Sequence, residues 1–263
     1  MIRFLTLASG SKGNAALLSY RETHLLIDCG ISYRRLRQHL ETLSMAPEQL
    51  SAILITHEHT DHTIGLATYT KKHRTPILCS RGTGQQLCRR VPGLPVHPIP
   101  MLAPLQWGDV EVTMLPTSHD CAESSAFCFR MGGRHLGYLT DSGVILPETA
   151  HALLGSDLLV LESNHDVEML RRGSYPEPLK QRVASRWGHL SNDAASQFAA
   201  ESVRCGTSHL ILAHLSEENN TPQCALDTMR QSLCEVGFCG TLSVAPQHCA
   251  GDCVWLEELV CSV

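Results

Sequence analysis

The run Leu54-Ile55-Thr56-His57-Glu58-His59-Thr60-Asp61-His62 places three histidines and an aspartate within six residues, directly after an apolar segment. Imidazole and carboxylate groups lose water on burial, and each then needs a hydrogen-bonding or ionic partner. A metal ion is the simplest partner for so dense a group. A polar surface loop is the alternative interpretation, and it would be favoured if only one histidine were present.

The spacing of these side chains predicts two neighbouring metal ions. If residues 52–56 form a strand, His57 and His59 leave its end two residues apart and point the same way. If a helix begins next, Asp61 and His62 lie in its first turn and face an adjacent position. The zinc-protease motif His-Glu-x-x-His does not apply, because Asp61 stands where that motif requires its second histidine.

Three more candidate ligands each follow an apolar segment of strand length later in the chain. Histidine and carboxylate donors suit zinc, with manganese or iron as further candidates, because no cysteine is required. Two-metal sites hold their ions about 3.5 to 4 Å apart. The predicted set is His57, His59 and His119 for one ion, Asp61, His62 and His214 for the other, and Asp141 as the bridge.

The bulk composition describes a chain that can bury a large core. Its 263 residues are 43% hydrophobic but only 5% aromatic, so we expect a core of Leu, Val, Ile and Ala. We expect one domain over residues 1–263. The formal net charge of -5 does not indicate the broad basic field of many nucleic-acid binders, although local basic patches can act alone.

The N-terminal Met1-Ile2-Arg3-Phe4 shows no signal-peptide pattern, and no apolar run approaches the ~20 residues that span a membrane. We therefore expect a soluble, cytoplasmic protein without membrane contact. The twelve cysteines lack Cys-x-x-Cys pairs and are interpreted as reduced, mostly buried residues. Cys249, Cys253 and Cys261 beside His248 fit no common zinc pattern.

Strands and helices alternate in both halves of the chain, which predicts two sheets sandwiched between helices. A helix is expected from the histidine cluster through about Tyr69. The loop Ser9-Gly10-Ser11-Lys12-Gly13-Asn14 is read first as a tight hairpin connection and second as a phosphate-contacting loop. Asp28 ends a buried strand, where it could orient a metal ligand or cap the helix predicted over 32–43.

The ligand pattern resembles the metallo-β-lactamase superfamily, in the His-x-His-x-Asp-His run His57 to His62 followed by His119, Asp141 and His214. The resemblance implies an α/β fold of four layers, an αββα sandwich. A closer resemblance is to the YycJ/WalJ family of bacterial DNA exonucleases, which are regarded as digesting from 5′ to 3′. It covers nearly the whole chain and is carried by residues 9–14, 161–166, 188–192 and 212–221. Ser142 departs from the pattern, which has threonine there, and the chain lacks the length for an inserted β-CASP domain.

The resemblance also implies that Glu162 and His189 form a pair that protonates the departing oxygen of a phosphodiester. Phosphodiester hydrolysis needs such an acid because an alkoxide is a poor leaving group. The alternative is that Glu162 caps a helix and His189 is a surface histidine. Asp61 would hold the attacking water. Further substrate contacts are expected from Ser11, Asn14, Asn164, His165, Ser191 and Asn192.

The leading hypothesis is a dinuclear metal-dependent phosphodiesterase, a 5′→3′ DNA exonuclease acting in DNA repair. The alternatives are a ribonuclease and a thioester or lactone hydrolase with the same metals, and the latter would gain little from Glu162 and His189. The sequence is compatible with a homodimer and with binding partners among repair proteins. Basic side chains that could line a nucleic-acid groove are Arg34, Arg35, Arg37, Lys71, Lys72, Arg74, Arg89, Arg90, Arg171, Arg172, Lys180 and Arg182.

Overall fold

Two mixed β-sheets of seven strands each form the centre of the computed structural model, which describes residues 1–259. The strands are β1 (Ile2–Ala8), β2 (Ala15–Tyr20), β3 (Thr23–Ile27), β4 (Ala52–Leu54), β5 (Ile77–Cys79), β6 (Val96–Pro98), β7 (Pro104–Trp107), β8 (Val110–Pro116), β9 (Ser125–Met131), β10 (Arg134–Leu139), β11 (Leu158–Glu162), β12 (His209–Ala213), β13 (Thr241–Val244) and β14 (Val254–Leu256). The first sheet has the order β14-β1-β2-β3-β4-β5-β6, and the second β13-β12-β11-β10-β9-β8-β7.

Helices cover the outer face of each sheet. They are α1 (Tyr33–Thr42), α2 (Thr60–Thr63), α3 (Leu66–Thr70), α4 (Arg81–Arg90), α5 (Pro147–Leu153), α6 (Val167–Arg172), α7 (Glu177–Val183), α8 (Asn192–Arg204) and α9 (Pro222–Glu235), with a short 3-10 helix at Pro47–Gln49. Ser32 begins α1, since its side chain accepts a hydrogen bond from the backbone N–H of Arg35 at 3.3 Å. Leu36 and Leu40, one turn apart, are the buried face of α1.

Three apolar layers hold the helices and sheets together. The layer between the sheets joins side chains such as Phe4 and Leu18 of the first sheet to Phe127 and Phe129 of the second. One outer layer packs α1, α3 and α4 on the first sheet, and the other packs α5, α8 and α9 on the second. The predicted αββα sandwich is confirmed.

Parallel strands in each sheet direct their carboxyl ends to the edge where the candidate ligands lie. In the first sheet β3 runs parallel to β4, and in the second β10, β11 and β12 are parallel neighbours. Every residue of β4 and β11 is buried, as expected for strands that have a sheet or helices on both faces. The loops that leave these strand ends form the site described below.

The helix predicted through Tyr69 is instead two short helices, α2 and α3. The backbone N–H of Gly65 donates to the carbonyl of Cys29 at 2.9 Å, and the carbonyl of Asp61 accepts from the N–H of Asn14 at 2.8 Å. These bonds to other segments replace the helical bond that would join Gly65 to Asp61.

The described cysteines are all free, and Cys261 lies outside the described residues. The expectation of mostly buried cysteines is wrong, because among residues 1–259 only Cys29, Cys79 and Cys128 are buried. Cys249 and Cys253 belong to no candidate metal-binding group within residues 1–259. Over the same residues, no helix has the length and apolar character needed to cross a membrane.

Candidate metal centre

Histidine and carboxylate side chains from both sheets converge at the carboxyl ends of the strands. Ligand atoms within each candidate group lie within 4.8 Å of one another. The groups are His57, His59 and His119; Asp61, His62 and His214; His57, His62 and Asp141; and Asp141, Glu162, His189 and His214. The structure thus brings the seven predicted ligands together in the predicted division, with Asp141 shared between groups. Their binding of two metals stays a prediction.

A buried carboxylate fixes the orientation of His62. Asp28 is fully buried, and its Oδ2 lies 2.8 Å from Nδ1 of His62. Its Oδ1 accepts from the backbone N–H of Thr56 at 2.9 Å, and the Thr56 hydroxyl lies 3.0 Å from both carboxylate oxygens. With the Nδ1 proton held by Asp28, Nε2 of His62 faces the cluster as a possible metal ligand, and in the structure it lies 3.0 Å from the side-chain nitrogen of Asn14. The structure therefore supports the first of the two roles considered for Asp28, and Ser32 rather than Asp28 caps α1.

The same arrangement recurs at other histidines of the centre. Nδ1 of His119 lies 3.0 Å from the carbonyl oxygen of Gly188, and Nδ1 of His214 lies 3.2 Å from Oε1 of Glu162. Each outer oxygen accepts the Nδ1 proton and leaves Nε2 facing the cluster. We assign these tautomers from the hydrogen-bond partners.

Buried ligand atoms without hydrogen-bond partners show that the cluster fits a cation. Among residues 1–259, Nε2 of His57, Nε2 of His214 and Oδ2 of Asp141 are buried and unpaired, although such atoms normally have partners. Burial lowers the pKa of His57 well below its usual value, so the ring is neutral and can donate a lone pair. Burial opposes the charged form of His214 as well, but Asp141, Asp61 and Glu162 raise its pKa to about 10. The carboxylates therefore favour positive charge at this position.

Three residues of the centre have backbone conformations in the left-handed region. Asp28, Asp141 and His214 have φ angles of 59°, 57° and 56°, and each follows the end of a strand. Non-glycine residues pay of order 1–2 kcal/mol for this conformation. The turn bends each chain sharply away from its strand and directs the side chain across the sheet edge, so the strain is associated with ligand placement.

Glu162 and His189 form the pair expected from the family resemblance, here called the acid pair. Oε1 of Glu162 lies 2.7 Å from Nδ1 of His189, and its Oε2 accepts from the backbone N–H of Ser142 at 2.8 Å. Burial alone would raise the pKa of Glu162, but His189 and His214 hold it at about 2. Glu162 ends β11 and caps no helix, since Asp166 caps α6.

Two cavities meet at His189. The metal-side cavity, about 150 Å³, is lined by Ser11, His119, Asn164 and Arg182 among others. The α6–α7 cavity, about 380 Å³, lies under α6 and α7 and is lined by His165 and Ser191 among others. Four of the six predicted substrate contacts therefore line a cavity, although Ser191 also caps α8 and Asn164 donates to the carbonyl of His214 at 2.9 Å.

The other two predicted contacts, Asn14 and Asn192, face the protein interior. Asn14 is 1% exposed, and its side chain bonds to Gly10 and lies 3.0 Å from Nε2 of His62. Asn192 is equally buried, and its amide bonds to Ser163 at 2.7 Å and to Asn220 at 2.9 and 3.1 Å. Neither amide can reach a substrate without breaking these bonds, and direct contact with a substrate stays a prediction for both. They hold the loops that carry other site residues.

Sequence reasoning missed the charge pair formed by Asp120 and Arg182. Asp120 follows the predicted ligand His119, and its Oδ1 lies 3.5 Å from that ring's Nε2, while Oδ2 accepts from Nε of Arg182 in α7. An acidic residue directly after a ligand histidine was the available signal. The pair ties α7 to the metal side of the centre.

Comparisons with known proteins agree with this geometry. A family model for the beta-lactamase superfamily domain matches residues 23–215. The chain belongs to this superfamily. Exodeoxyribonuclease YycJ of Bacillus anthracis is 35% identical over 240 residues, covering 90% of this chain and 91% of that protein. Exodeoxyribonuclease WalJ of Streptococcus pneumoniae serotype 2 is 33% identical over 238 residues, covering 89% and 88%.

These identities confirm that this superfamily member is of the YycJ/WalJ type. A solved structure, the metallo-beta-lactamase fold protein YhfI from Bacillus subtilis, matches the fold with a TM-score of 0.71 at 19% identity. That match covers 96% of this chain and 100% of YhfI. At 19% sequence identity this structural similarity supports only the fold.

Proposed function

We propose that this protein is a dinuclear metal-dependent phosphodiesterase that degrades DNA from the 5′ end. Its superfamily makes it a metal-dependent hydrolase, and the two curated relatives are named exodeoxyribonucleases over almost their whole length. The observation that carries the proposal is the acid pair, with 2.7 Å between Glu162 and His189, beside the ligand cluster.

Seven residues would hold the two ions, in the division already given. When bound, such ions supply an activated water and neutralise the charge of the attacked phosphate. Zinc suits the donor set best, and manganese and iron share the preference for imidazole and carboxylate ligands. Asp61 is partly exposed at the mouth of the cluster, 3.5 Å from Nε2 of His62 and 3.6 Å from Nε2 of His214. That position suits a carboxylate that holds the attacking water as well as an ion.

The acid pair protonates the leaving sugar oxygen. Glu162 accepts the Nδ1 proton of His189, which fixes the ring and leaves Nε2 free beside the cavities. As the imidazolium, His189 also carries a proton on Nε2. When a water that has given one proton to solvent bonds through its oxygen to phosphorus, the phosphorus bond to the sugar oxygen breaks. His189 gives its Nε2 proton to that sugar oxygen and becomes neutral, with its Nδ1 proton still held by Glu162. Positioned proton transfer of this kind typically contributes 10²- to 10⁴-fold to a rate.

The basic groups around the cavities support a nucleic-acid substrate. Of the predicted basic candidates, Arg171 and Lys180 line the α6–α7 cavity, and Arg182 lines the metal-side cavity. Two of them have acidic partners that a phosphate would have to compete with: Arg171 pairs with Glu168 and Arg182 with Asp120. Phosphate contacts from such side chains position a strand without reading its sequence. A protein of net charge -5 can therefore bind DNA through a local basic rim.

The test is a substrate panel with protein loaded separately with zinc, manganese and iron. The panel contains 5′-phosphorylated single- and double-stranded DNA, RNA of the same sequence, and a thioester. We expect mononucleotides to be released from the 5′ end of DNA and His189→Ala to slow this at least a hundredfold. The exposed His151, changed to Ala, is the matched control. Thioester cleavage without any nuclease activity would overturn the proposal.

A role in DNA repair completes the proposal, because an exonuclease shortens strand ends before resynthesis. Deleting the gene should sensitise the source organism to agents that damage DNA, and the wild-type gene should restore resistance while the His189→Ala gene should not. Equal rescue by both genes would separate the repair role from the hydrolytic activity.

A further inference from the structure

His165 is a buried imidazole, predicted to contact the substrate, that takes no part in the proposed metal binding or proton transfer. The residue is 3% exposed, and its Nδ1 has no hydrogen-bond partner among residues 1–259. It lies in no candidate metal-binding group of the described chain. Leaving a buried polar atom without a hydrogen bond costs about 1–3 kcal/mol. A ligand that bonded to Nδ1 of His165 would remove this cost.

The backbone holds His165 firmly in the wall of the α6–α7 cavity. Its carbonyl oxygen accepts from the N–H of Asn192 at 2.8 Å, and it forms an isolated parallel bridge with Ser191. On one side, the neighbouring N–H of Asn164 donates to the carbonyl of Leu190 at 2.9 Å. The backbone that carries His165 is therefore held in place, and its side chain lines the cavity. Binding sites require this kind of rigid support.

The rest of the cavity wall matches a flat, amphipathic ligand. Val167, Leu170 and Ala194 supply apolar surface, while Lys180, Arg171 and Glu177 bring charges of both signs to its side, with Arg171 paired to Glu168 at 2.7 Å. Its volume of about 380 Å³ falls in the range of ligand pockets, about 300–1,000 Å³. Burial lowers the pKa of His165 to about 4, so near neutral pH the ring offers one donor and one acceptor.

His189 determines which part of a substrate reaches this cavity. It lies on the wall shared by the two cavities, with the metal ligands on one side and His165 on the other. An oxygen that takes a proton from His189 carries its own sugar and base away from the phosphate. The α6–α7 cavity is the adjoining space of nucleotide size.

We infer that the α6–α7 cavity binds the base of the departing 5′-terminal nucleotide, which leaves through its 3′ oxygen, and that His165 hydrogen-bonds to the edge of that base. Val167, Leu170 and Ala194 contact the face of the base. This inference rests on the proposed function, and it assigns to His165 a contact with a base rather than with a phosphate.

The test compares two 5′-phosphorylated single strands that differ only at the 5′-terminal residue, deoxyadenosine or an abasic tetrahydrofuran analogue. For the wild type we expect kcat/KM to be about tenfold lower on the abasic strand, which corresponds to the loss of about 1.4 kcal/mol of contact with the base. In His165→Gln and in Ala194→Leu, which fills the cavity, the two substrates should differ less than twofold. Each ratio is internal to one variant, so a general loss of activity cancels.

The control His151→Gln should keep the tenfold ratio. The inference would be overturned if both cavity variants kept the tenfold ratio, or if the wild type cleaved the two strands with equal kcat/KM. Either result would leave the proposed nuclease activity unaffected. A second measurement is independent of activity: deoxyadenosine should shift the imidazole resonances of His165 in NMR spectra of the wild type but not in Ala194→Leu. If the protein cleaves no DNA, the proposed function fails, and this spectrum alone decides whether the cavity binds a nucleoside.

Discussion

Replacing Asp28 by Asn should separate metal affinity from stability. The amide oxygen can still accept the bonds from Thr56 that now reach the carboxylate at 2.9 and 3.0 Å. Asparagine also tolerates the left-handed φ of 59°. The amide NH₂, however, would face Nδ1 of His62, where the carboxylate now accepts a proton at 2.8 Å.

The consequence is a change of tautomer at His62. Facing a donor, Nδ1 becomes the acceptor, and the proton moves to Nε2, the atom that should bind the metal. A metal-binding histidine that loses the acceptor of its other ring N–H typically binds the metal 10- to 100-fold more weakly, which corresponds to about 1.4–2.7 kcal/mol. Burial raises the pKa of Asp28, whereas Asp28 and Asp141 raise the pKa of the buried His62. The substitution therefore removes a buried charge together with its attraction to His62, and these two effects on the stability of the metal-free protein oppose each other.

Calorimetric zinc titration and chemical denaturation of the metal-free protein measure the two effects. Asp157→Asn is the matched control: Asp157 accepts from Arg134 and from the N–H of His135, both at 2.8 Å. The control should lower stability and leave zinc affinity unchanged. Wild-type zinc affinity in Asp28→Asn would refute the reasoning, because it would show that His62 keeps its metal-binding tautomer without the carboxylate.

Three further predictions concern the metals, the acid pair and pH. Chelators should lower the melting temperature of the protein in thermal denaturation. Zinc at a hundredfold excess over its Kd should then restore about 2.7 kcal/mol of unfolding free energy. An unchanged melting temperature would argue against zinc binding to the folded state. His189→Ala should slow DNA cleavage far more than hydrolysis of bis(4-nitrophenyl) phosphate, whose leaving group needs no proton, and equal losses in a rate comparison would remove its role as acid. Burial lowers the pKa of His135 to about 4 from 6.5, so the unfolded chain binds more protons between these values and the unfolding free energy should fall as pH drops through them. Denaturation at several pH values should show a smaller fall in His135→Gln, and an identical slope would contradict this.

The convergence of the candidate metal ligands could be predicted because the signals are local. His57 to His62 lie in one short run, and the other ligands each follow a recognisable strand, so the edge where strands end brings them together. The acid pair carried no such signal: residues 162 and 189 are 27 positions apart, and only the family resemblance connected them.

The sequence is least informative where tertiary hydrogen bonds override the local pattern. Asn192 follows a loop rich in polar residues and looks available to a ligand, yet Ser163 and Asn220 occupy its amide. The break between α2 and α3 depends on bonds from Gly65 and Asp61 to a loop and a strand end over 30 residues away in sequence. Neither contact has a periodicity that the sequence displays.

The candidate ligands come from two separate sheets. His57, His59, Asp61 and His62 leave the first sheet, whereas His119, Asp141 and His214 leave the second. In the proposed assignment each ion takes ligands from both, so it acts as a reversible cross-link between the halves of the sandwich. A chain cut between β6 and β7 would thus yield two fragments, each with an incomplete site, whose reassembly depends on metal.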